Sequence, residues 1–314
     1  MRRILITGGA GNVGGSLARR LVEDSTNFVI IIDNLITGSV NKLPHKKYHN
    51  WSFRKGDVNN LNELSSIIKN EKLDYIFHYA ALVGVKRTLA NPLEVLKDIE
   101  GVKNILKISK DLDVSRIFLS SSSEVYGEPV EIPQNELTTP LNAKLPYAIV
   151  KNVSESYCRS YNQMFGLDYT IFRFFNTYGP LQSDDFVLTK FIKNAVLGSE
   201  LEIYGDGSQT RTFCFIEDNL KATISSMDKE LWINDVVNIG NDNEISILNL
   251  AETVIEVLNS KSKIKFIQPL KEGDMTRRRP DISKMKKIFK GSLISLEEGI
   301  LLTHKELVTK NYNS

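Results

Sequence analysis

The sequence predicts an α/β fold in which a doubly wound parallel sheet is followed by a smaller C-terminal α/β lobe. Short apolar runs alternate with helical patterns five times between residues 3 and 165. This alternation implies parallel strands joined by right-handed crossovers. The first apolar run leads directly into a glycine-rich turn and then into an amphipathic helical pattern. Together these observations predict a Rossmann-like fold.

The glycine-rich turn carries Gly8, Gly11 and Gly14, with Asn12 and Val13 between the last two. At a strand–turn–helix junction this spacing is the fingerprint of a dinucleotide site. The first glycine permits the tight turn, the second lets the backbone approach a pyrophosphate, and the third allows close packing of helix on strand. The N-terminus of the helix then faces the phosphates.

Three further stretches end predicted strands at the same edge of the sheet. Asp33 ends the second strand, where its carboxylate can bind both ribose hydroxyls and would repel a 2′-phosphate, so we predict NAD rather than NADP. Asp57 either contacts the adenine or caps the helix that begins near Asn60. The small Ala80 and Ala81 would let the cofactor lie against the backbone.

Strict alternation fades after residue 176, and we predict two regions from this change. Residues 1–176 form the NAD-binding Rossmann domain, although later segments such as 212–240 can add strands to its sheet. Residues 177–314 form mainly a substrate-binding lobe. Long helices are expected over 92–110 and 146–165.

The composition excludes several classes of protein. The chain has 314 residues, 41% of them hydrophobic and 25% charged, with a net charge of +2. Such a balance gives no electrostatic case for a nucleic-acid or membrane partner. Cys158 and Cys214 lack the spacing of a metal site and fit a reducing compartment. With neither a signal peptide nor an apolar run of membrane-spanning length in the sequence, we expect a cytoplasmic protein without a metal.

Tyr147 and Lys151 are the candidate reactive pair. On a helix, residues four apart lie on one face. A neighbouring ammonium favours the phenolate, so we expect Lys151 to lower the pKa of Tyr147 from about 10 toward neutrality. Taken alone, the pair is weak evidence, because this spacing can arise by chance from a half-buried tyrosine beside a solvated lysine.

Together these features resemble the extended short-chain dehydrogenase/reductase family, whose NAD-dependent epimerases and dehydratases act on nucleotide-diphosphate sugars. The resemblance covers roughly residues 3–300. Its markers are the segments 8–14, 33–35, 56–58, 78–81, 121–127, 147–151, 173–180, 209–211 and 277–281. It also implies a homodimer formed through the helices at 92–110 and 146–165.

The resemblance implies the roles of the site residues. Tyr147 takes the proton of the sugar C4 hydroxyl while the C4 hydride passes to NAD⁺, Lys151 holds the nicotinamide ribose, and Ser122 hydrogen-bonds the same hydroxyl. The predicted cofactor contacts are Gly8, Gly11, Asn12, Val13, Gly14, Asp33, Asn34, Asp57, Val58, Ala80, Ala81, Tyr147 and Lys151. The predicted substrate contacts are Val85 in the sugar pocket and Asn176, Arg211, Arg277 and Arg278 at the diphosphate.

Glu124 is the residue that bears on the choice of reaction. In 4,6-dehydratases of the family a glutamate at this position removes the C5 proton, and the hydride returns to C6 after water leaves. We therefore expect a nucleotide-sugar 4,6-dehydratase, although Ser123 replaces the aspartate that the glucose dehydratases use as an acid. The alternatives are a 4-epimerase, then a decarboxylase of hexuronic acids, in which Asn152 departs from a common arginine. The last is a non-catalytic sensor of NAD or nucleotide sugars.

Overall fold

A single parallel sheet organises the protein, and a computed structural model describes residues 1–69, 71–269 and 276–311. The strands are β1 (Arg2–Thr7), β2 (Asn27–Asp33), β3 (Trp51–Lys55), β4 (Tyr75–His78), β5 (Arg116–Ser122), β6 (Asp168–Phe174), β7 (Thr177–Tyr178), β8 (Leu201–Tyr204), β9 (Thr210–Thr212), β10 (Cys214–Phe215), β11 (Asp235–Ile239), β12 (Glu244–Ser246) and β13 (Ile264–Ile267). The helices are α1 (Asn12–Leu21), α2 (Leu61–Ile67), α3 (Val85–Ala90), α4 (Pro92–Asp111), α5 (Pro146–Phe165), α6 (Val187–Leu197), α7 (Ile216–Asp228), α8 (Ile247–Val257), α9 (Ser283–Lys286) and α10 (Leu296–Asn311).

The main sheet has seven strands in the order β3-β2-β1-β4-β5-β6-β11. Every neighbouring pair runs parallel, which confirms the predicted doubly wound fold. The strand order reverses between β1 and β4, and ligands of such sheets bind beyond the carboxyl ends at this point. The last strand, β11, comes from the C-terminal half of the chain and pairs with β6.

The sheet is covered on both faces, so its central strands are apolar without alternation. Ile4, Leu5 and Ile6 of β1 are all fully buried. Ile4 and Ile6 belong to one apolar cluster with Leu17 of α1. Leu5 belongs to the cluster on the opposite face, with Ile105 of α4.

Helix α5 begins and ends as the sequence predicts. Pro146 occupies its first turn, where a missing N–H leaves no helical hydrogen bond unmade. Gly166 ends it in a left-handed conformation with φ of +72°, which glycine adopts without strain. Helix α4, which lies beside α5, also begins with a proline, Pro92.

Beyond β6, three small two-stranded sheets pair β7 with β10, β8 with β13, and β9 with β12. Strands β9 and β10 are separate because Phe213 between them pairs with neither β12 nor β7. In the part of the chain that the structure describes, none of the helices is long and apolar enough to cross a membrane. The same described residues include no cluster of histidine, cysteine or acidic side chains suited to a metal ion.

Candidate active site

The glycine turn packs so closely that side chains are excluded from it. Gly8 has a φ of +69°, and a Cβ there would lie 2.6 Å from the backbone nitrogen of Ala80. A Cβ on Gly14 would collide with the carbonyl oxygen of Gly8, while the amide of Gly11 donates to that oxygen at 3.0 Å. Asn12 opens α1, and Gly11 before it supplies no side-chain cap. The first-turn amides are thus available to an anion, and the turn fits a cofactor pyrophosphate.

Asp33 connects the end of β2 to this turn. Its two carboxylate oxygens accept from the amides of Ala10 at 2.9 Å and Leu35 at 2.8 Å. A carboxylate has about four acceptor positions, so the buried Asp33 keeps capacity for ribose hydroxyls. Asn34 follows it and accepts from the amide of Ile36. The position and charge of Asp33 therefore fit NAD.

Asp57 does not cap α2. The cap is Asn60, whose side chain accepts from two first-turn amides. Asp57 instead accepts from the amide of Asn59 at 2.9 Å, and its contact with the adenine stays a prediction. Val58 is buried in the core, and its carbonyl accepts from Asn104 of α4. Val58 therefore anchors this loop through packing.

Tyr147 and Lys151 lie on the face of α5 that meets the end of β5. The Lys151 ammonium donates to the carbonyl of Ser120 at 2.8 Å and lies 5.7 Å from the centre of the Tyr147 ring. Lys151 is 5% exposed, and burial lowers its pKa to about 8. The expectation that Lys151 lowers the pKa of Tyr147 toward neutrality is wrong. Burial and the charge of Glu124 raise that pKa well above its usual value, against a hydrogen bond from Ser122.

The serine run that follows Ser120 leads into a short 3₁₀ helix, Ser123–Tyr126. The hydroxyl of Ser122 caps this helix by accepting from the amide of Glu124 at 3.2 Å. Ser122 therefore contacts both Tyr147 and the backbone that carries Glu124. The geometry brings together the predicted base, its predicted hydrogen-bonding serine and the acid that the sequence singled out.

Arg278 reaches this loop from the C-terminal lobe. Its guanidinium lies 2.8 Å from Glu124, and the two side chains are only 7% and 15% exposed. A second nitrogen of Arg278 lies 3.5 Å from the hydroxyl of Ser123. Arg278, predicted at the diphosphate, therefore lies beside the catalytic loop.

The other predicted substrate residues are engaged elsewhere. Arg277 makes two hydrogen bonds to Glu244, at 2.9 and 2.7 Å, and they lower the pKa of Glu244 to about 2. Arg211 on β9 is buried and donates to the carbonyl of Thr210. Asn176 donates to the carbonyl of Thr212 at 2.8 Å. Val85 opens α3, but its side chain lies outside what the structure describes.

Sequence reasoning missed the buried ion pair beneath the site. Arg173 donates to both oxygens of Glu155, at 2.9 and 2.8 Å, and both side chains are essentially inaccessible to solvent. Ser121 donates to the same carboxylate at 2.6 Å. Glu155 lies four residues after Lys151, as Lys151 lies four after Tyr147, and this repeat was the available signal. The pair fixes α5 against the end of β6, and Ser121 adds a contact from the end of β5.

With this geometry in place, comparison with known proteins identifies the family. Residues 4–240 match the model of the NAD dependent epimerase/dehydratase family, and the chain belongs to that family. Its cofactor is NAD, which the glycine turn and Asp33 fit.

Individual relatives span several activities. A Methanocaldococcus jannaschii protein, provisionally described as a UDP-glucose 4-epimerase, is 33% identical over 303 residues, 95% of each chain. UDP-glucuronic acid decarboxylase 1 of Danio rerio is 35% identical over 308 residues, 95% of this chain and 71% of that one. The structure of UDP-glucose 4-epimerase from Thermotoga maritima with UDP-glucose superposes with a TM-score of 0.91, at 30% identity over 99% of both chains.

Proposed function

We propose that this enzyme oxidises C4 of a UDP-linked hexuronic acid and releases the C6 carboxyl group as CO₂. The observation that carries the proposal is the Arg278–Glu124 ion pair beside Tyr147. Both charges act on the Tyr147 phenol, Glu124 raising and Arg278 lowering its pKa. The pair therefore lies within electrostatic reach of the base that would receive the C4 proton. In a hexuronic acid the carboxylate is two bonds from C4, and a guanidinium suits a carboxylate.

The chain's own residues account for the first step. Tyr147 accepts the proton of the C4 hydroxyl, and Ser122 hydrogen-bonds and orients that hydroxyl. Lys151, held by Ser120 and protonated below its pKa of about 8, holds the ribose of the cofactor. NAD, when bound, supplies the hydride acceptor for C4 and the hydride donor for the final reduction.

The second step follows from the chemistry of the oxidised sugar. A C4 ketone beside a C6 carboxylate is a β-keto acid, so the C5–C6 bond breaks with its electron pair moving into an enolate. Arg278 would bind the carboxylate before cleavage, and a proton at C5 would then restore the ketone. Tyr147 returns its proton to the C4 oxygen as C4 is reduced. No oxidant is consumed in the complete cycle.

Dehydration, the first expectation from the sequence, has less support. It needs Glu124 as a free base at C5, yet the Glu124 carboxylate is held by Arg278 at 2.8 Å. It also needs an acid to protonate the leaving hydroxyl, and Ser123 lies against the same guanidinium. The relatives named above are described as epimerases and a decarboxylase.

A 4-epimerase is the second candidate. Tyr147, Lys151 and Ser122 suffice for oxidation and return of the hydride to the opposite face of C4. The similarity to the Thermotoga maritima epimerase, at a TM-score of 0.91, favours this reaction. It requires the 4-keto sugar to rotate in the pocket so that its opposite face is turned to the cofactor. In that case Arg278 would bind the hexuronate without cleavage.

The deciding experiment incubates the full chain and NAD⁺ with UDP-glucuronic acid, its N-acetylglucosaminuronic counterpart or UDP-glucose in D₂O, followed by NMR. We expect a UDP-pentose with one deuterium at C5 and stoichiometric CO₂ from the hexuronate. Inversion at C4 with the carboxyl group retained would replace decarboxylation by epimerisation. A 4-keto-6-deoxy product from UDP-glucose, with deuterium at C5, would restore the dehydratase.

We also infer a homodimer, as the family resemblance implies. The surfaces of α4 and α5 carry exposed apolar side chains, among them Leu93 at 74% and Ile149 at 38% exposure. Light scattering of the purified chain gives the mass in solution, and a monomer at micromolar concentration would contradict the inference.

A further inference from the structure

Asp98 connects helix α4 to the loop that follows β4. One of its carboxylate oxygens accepts from the backbone amide of Leu82 at 2.7 Å. Leu82 directly follows Ala80 and Ala81, the small residues at the edge of the sheet where the cofactor is expected. Asp98 has no role in the reactions proposed above, and in sequence it is one of four acidic residues on α4.

The same loop is held from its other side by β1. The hydroxyl oxygen of Thr7 accepts hydrogen bonds from the backbone amides of Tyr79, at 3.2 Å, and Ala80, at 3.3 Å. The backbone of Ala80 also packs against Gly8 so closely that a Cβ on Gly8 would be only 2.6 Å away. The loop is therefore fixed between the glycine turn and α4, and Asp98 supplies the α4 side of that fixation.

Asp98 also acts on Lys151 of α5. Burial lowers the pKa of Lys151 to about 8, and the negative charge of Asp98 is what opposes this lowering. Burial raises the pKa of Asp98 itself, while the Leu82 amide, the Lys151 charge and a hydrogen bond from Asn59 favour its ionised form. Asp98 and Lys151 thus stabilise each other's charges in a poorly hydrated region.

The remaining groups around this pair do not replace Asp98. His78 of β4 is neutral because burial and the charge of Lys151 hold its pKa near 3. Asp57, after β3, is a second acid that disfavours the charge of Asp98. The charge of Asp98 also raises the pKa of Tyr147, but burial and Glu124 have larger effects on that pKa.

We propose that Asp98 is a positioning residue of the oxidising site, which fixes the cofactor-facing loop through Leu82 and acts as the counter-charge of Lys151. The proposal concerns C4 oxidation, which decarboxylation, epimerisation and dehydration share, so it holds whichever of them the enzyme performs. It assigns two separable effects to one side chain, because the hydrogen bond needs an acceptor and the effect on Lys151 needs a charge.

Two substitutions separate these effects. Asp98→Asn keeps an acceptor for Leu82 and removes the charge, whereas Asp98→Ala removes both. The affinity of the nucleotide-free chain for NAD⁺ is measured by calorimetry across pH. Lys151 can donate to the cofactor ribose as an ammonium, so affinity is retained below its pKa and lost as pH rises through it. In both variants we expect this loss about one pH unit lower than in the unchanged protein.

Hydrogen exchange reports on the loop without any cofactor. In Asp98→Ala the Leu82 amide should exchange at least about tenfold faster, and affinity for NAD⁺ should fall about tenfold even well below the pH of NAD⁺ loss. In Asp98→Asn both changes should stay within about threefold when they are measured well below the pH of NAD⁺ loss, where Lys151 is protonated in either protein. Asp98→Glu restores the charge and should return the pH of NAD⁺ loss toward that of the unchanged protein.

Glu100→Gln, an exposed acid on the same helix paired with Lys103, is the matched control and should change neither measurement. An Asp98→Asn protein that loses NAD⁺ at the unchanged pH would overturn the role toward Lys151. A Leu82 amide that exchanges at the unchanged rate in Asp98→Ala would overturn the role in the loop. If Asp98→Ala does not fold, Asp98→Asn and Asp98→Glu still test whether the charge at this position sets the pH of NAD⁺ loss.

Discussion

Arg278 of the C-terminal lobe and Glu124 at the end of β5 form an ion pair of 2.8 Å that is almost closed to solvent. A buried pair of this kind is strongly disturbed when one partner is lost, because the other charge stays without compensation. The pair therefore joins the segment after residue 275 to the catalytic loop. It also places a cation beside Glu124, where the carboxylate of the proposed hexuronate would compete for it.

Replacement of Arg278 tests that function. In Arg278→Met we expect kcat/KM for UDP-glucuronic acid to fall about 100-fold, because a desolvated partner for a carboxylate typically contributes about 2–5 kcal/mol. Affinity for NAD⁺ should not change. Arg20→Met, which removes an exposed arginine paired with Glu217, is the control and should retain full turnover. Equal kcat/KM in Arg278→Met and the unchanged enzyme would remove the support for a hexuronate.

Tyr147→Phe removes the base and leaves the ring. We expect kcat to fall about 10³-fold, within the usual range for loss of a general base, while NAD⁺ still binds. Tyr157→Phe makes the same change on the same helix at a distance from Ser122 and should leave kcat unaltered. The rates of product formation by the two variants are compared at saturating substrate. Substantial turnover by Tyr147→Phe would mean that another group accepts the C4 proton.

Gly14→Ala tests the glycine turn. The new methyl group would collide with the carbonyl of Gly8, so the backbone must move and the pyrophosphate site with it. We expect NAD⁺ affinity to fall at least about tenfold and the free energy of unfolding to drop by about 1–3 kcal/mol. Gly291→Ala, where no atom lies within 4 Å of the added Cβ, should stay within about 0.5 kcal/mol. Calorimetry and denaturant unfolding give the two quantities.

Glu155→Gln should destabilise the fold by about 3 kcal/mol, because Arg173 would keep a buried charge without its partner. Burial disfavours the Glu155 carboxylate, but the hydrogen bonds and charge of Arg173 outweigh it, and the pKa of Glu155 is lowered. Its stabilising contribution is therefore complete above the usual glutamate pKa of about 4.3. It is lost as pH falls through the lowered folded-state value.

Urea unfolding of this variant across pH provides the measurement. The difference in free energy of unfolding between Glu155→Gln and the unchanged protein should be constant at neutral pH and shrink in acid. Glu100→Gln, on the exposed surface of α4, should lie within about 0.5 kcal/mol throughout. A difference that persists unchanged into strong acid would show that Glu155 acts without its charge.

Local patterns carried much of the sequence prediction. The glycine turn, Asp33 at the end of β2 and the face shared by Tyr147 and Lys151 follow from spacing within one element or one junction. Helix α5 was expected over 146–165 and spans Pro146–Phe165, since a proline and a glycine mark its ends. The parallel sheet followed from alternation, because parallel strands require crossovers between them.

The sequence by itself thus determined the fold class and the cofactor and indicated the candidate oxidising pair, all of which depend on short-range periodicity and glycine sterics. Only the tertiary structure decided what surrounds that pair. Arg278 forms an ion pair with Glu124, and Asp98 accepts a hydrogen bond from the loop after β4. The pKa of Tyr147 was expected to be lowered by Lys151, but burial raises it. These relationships depend on which distant segments pack together and how much water they exclude, and the strength of a charge interaction is set by that environment.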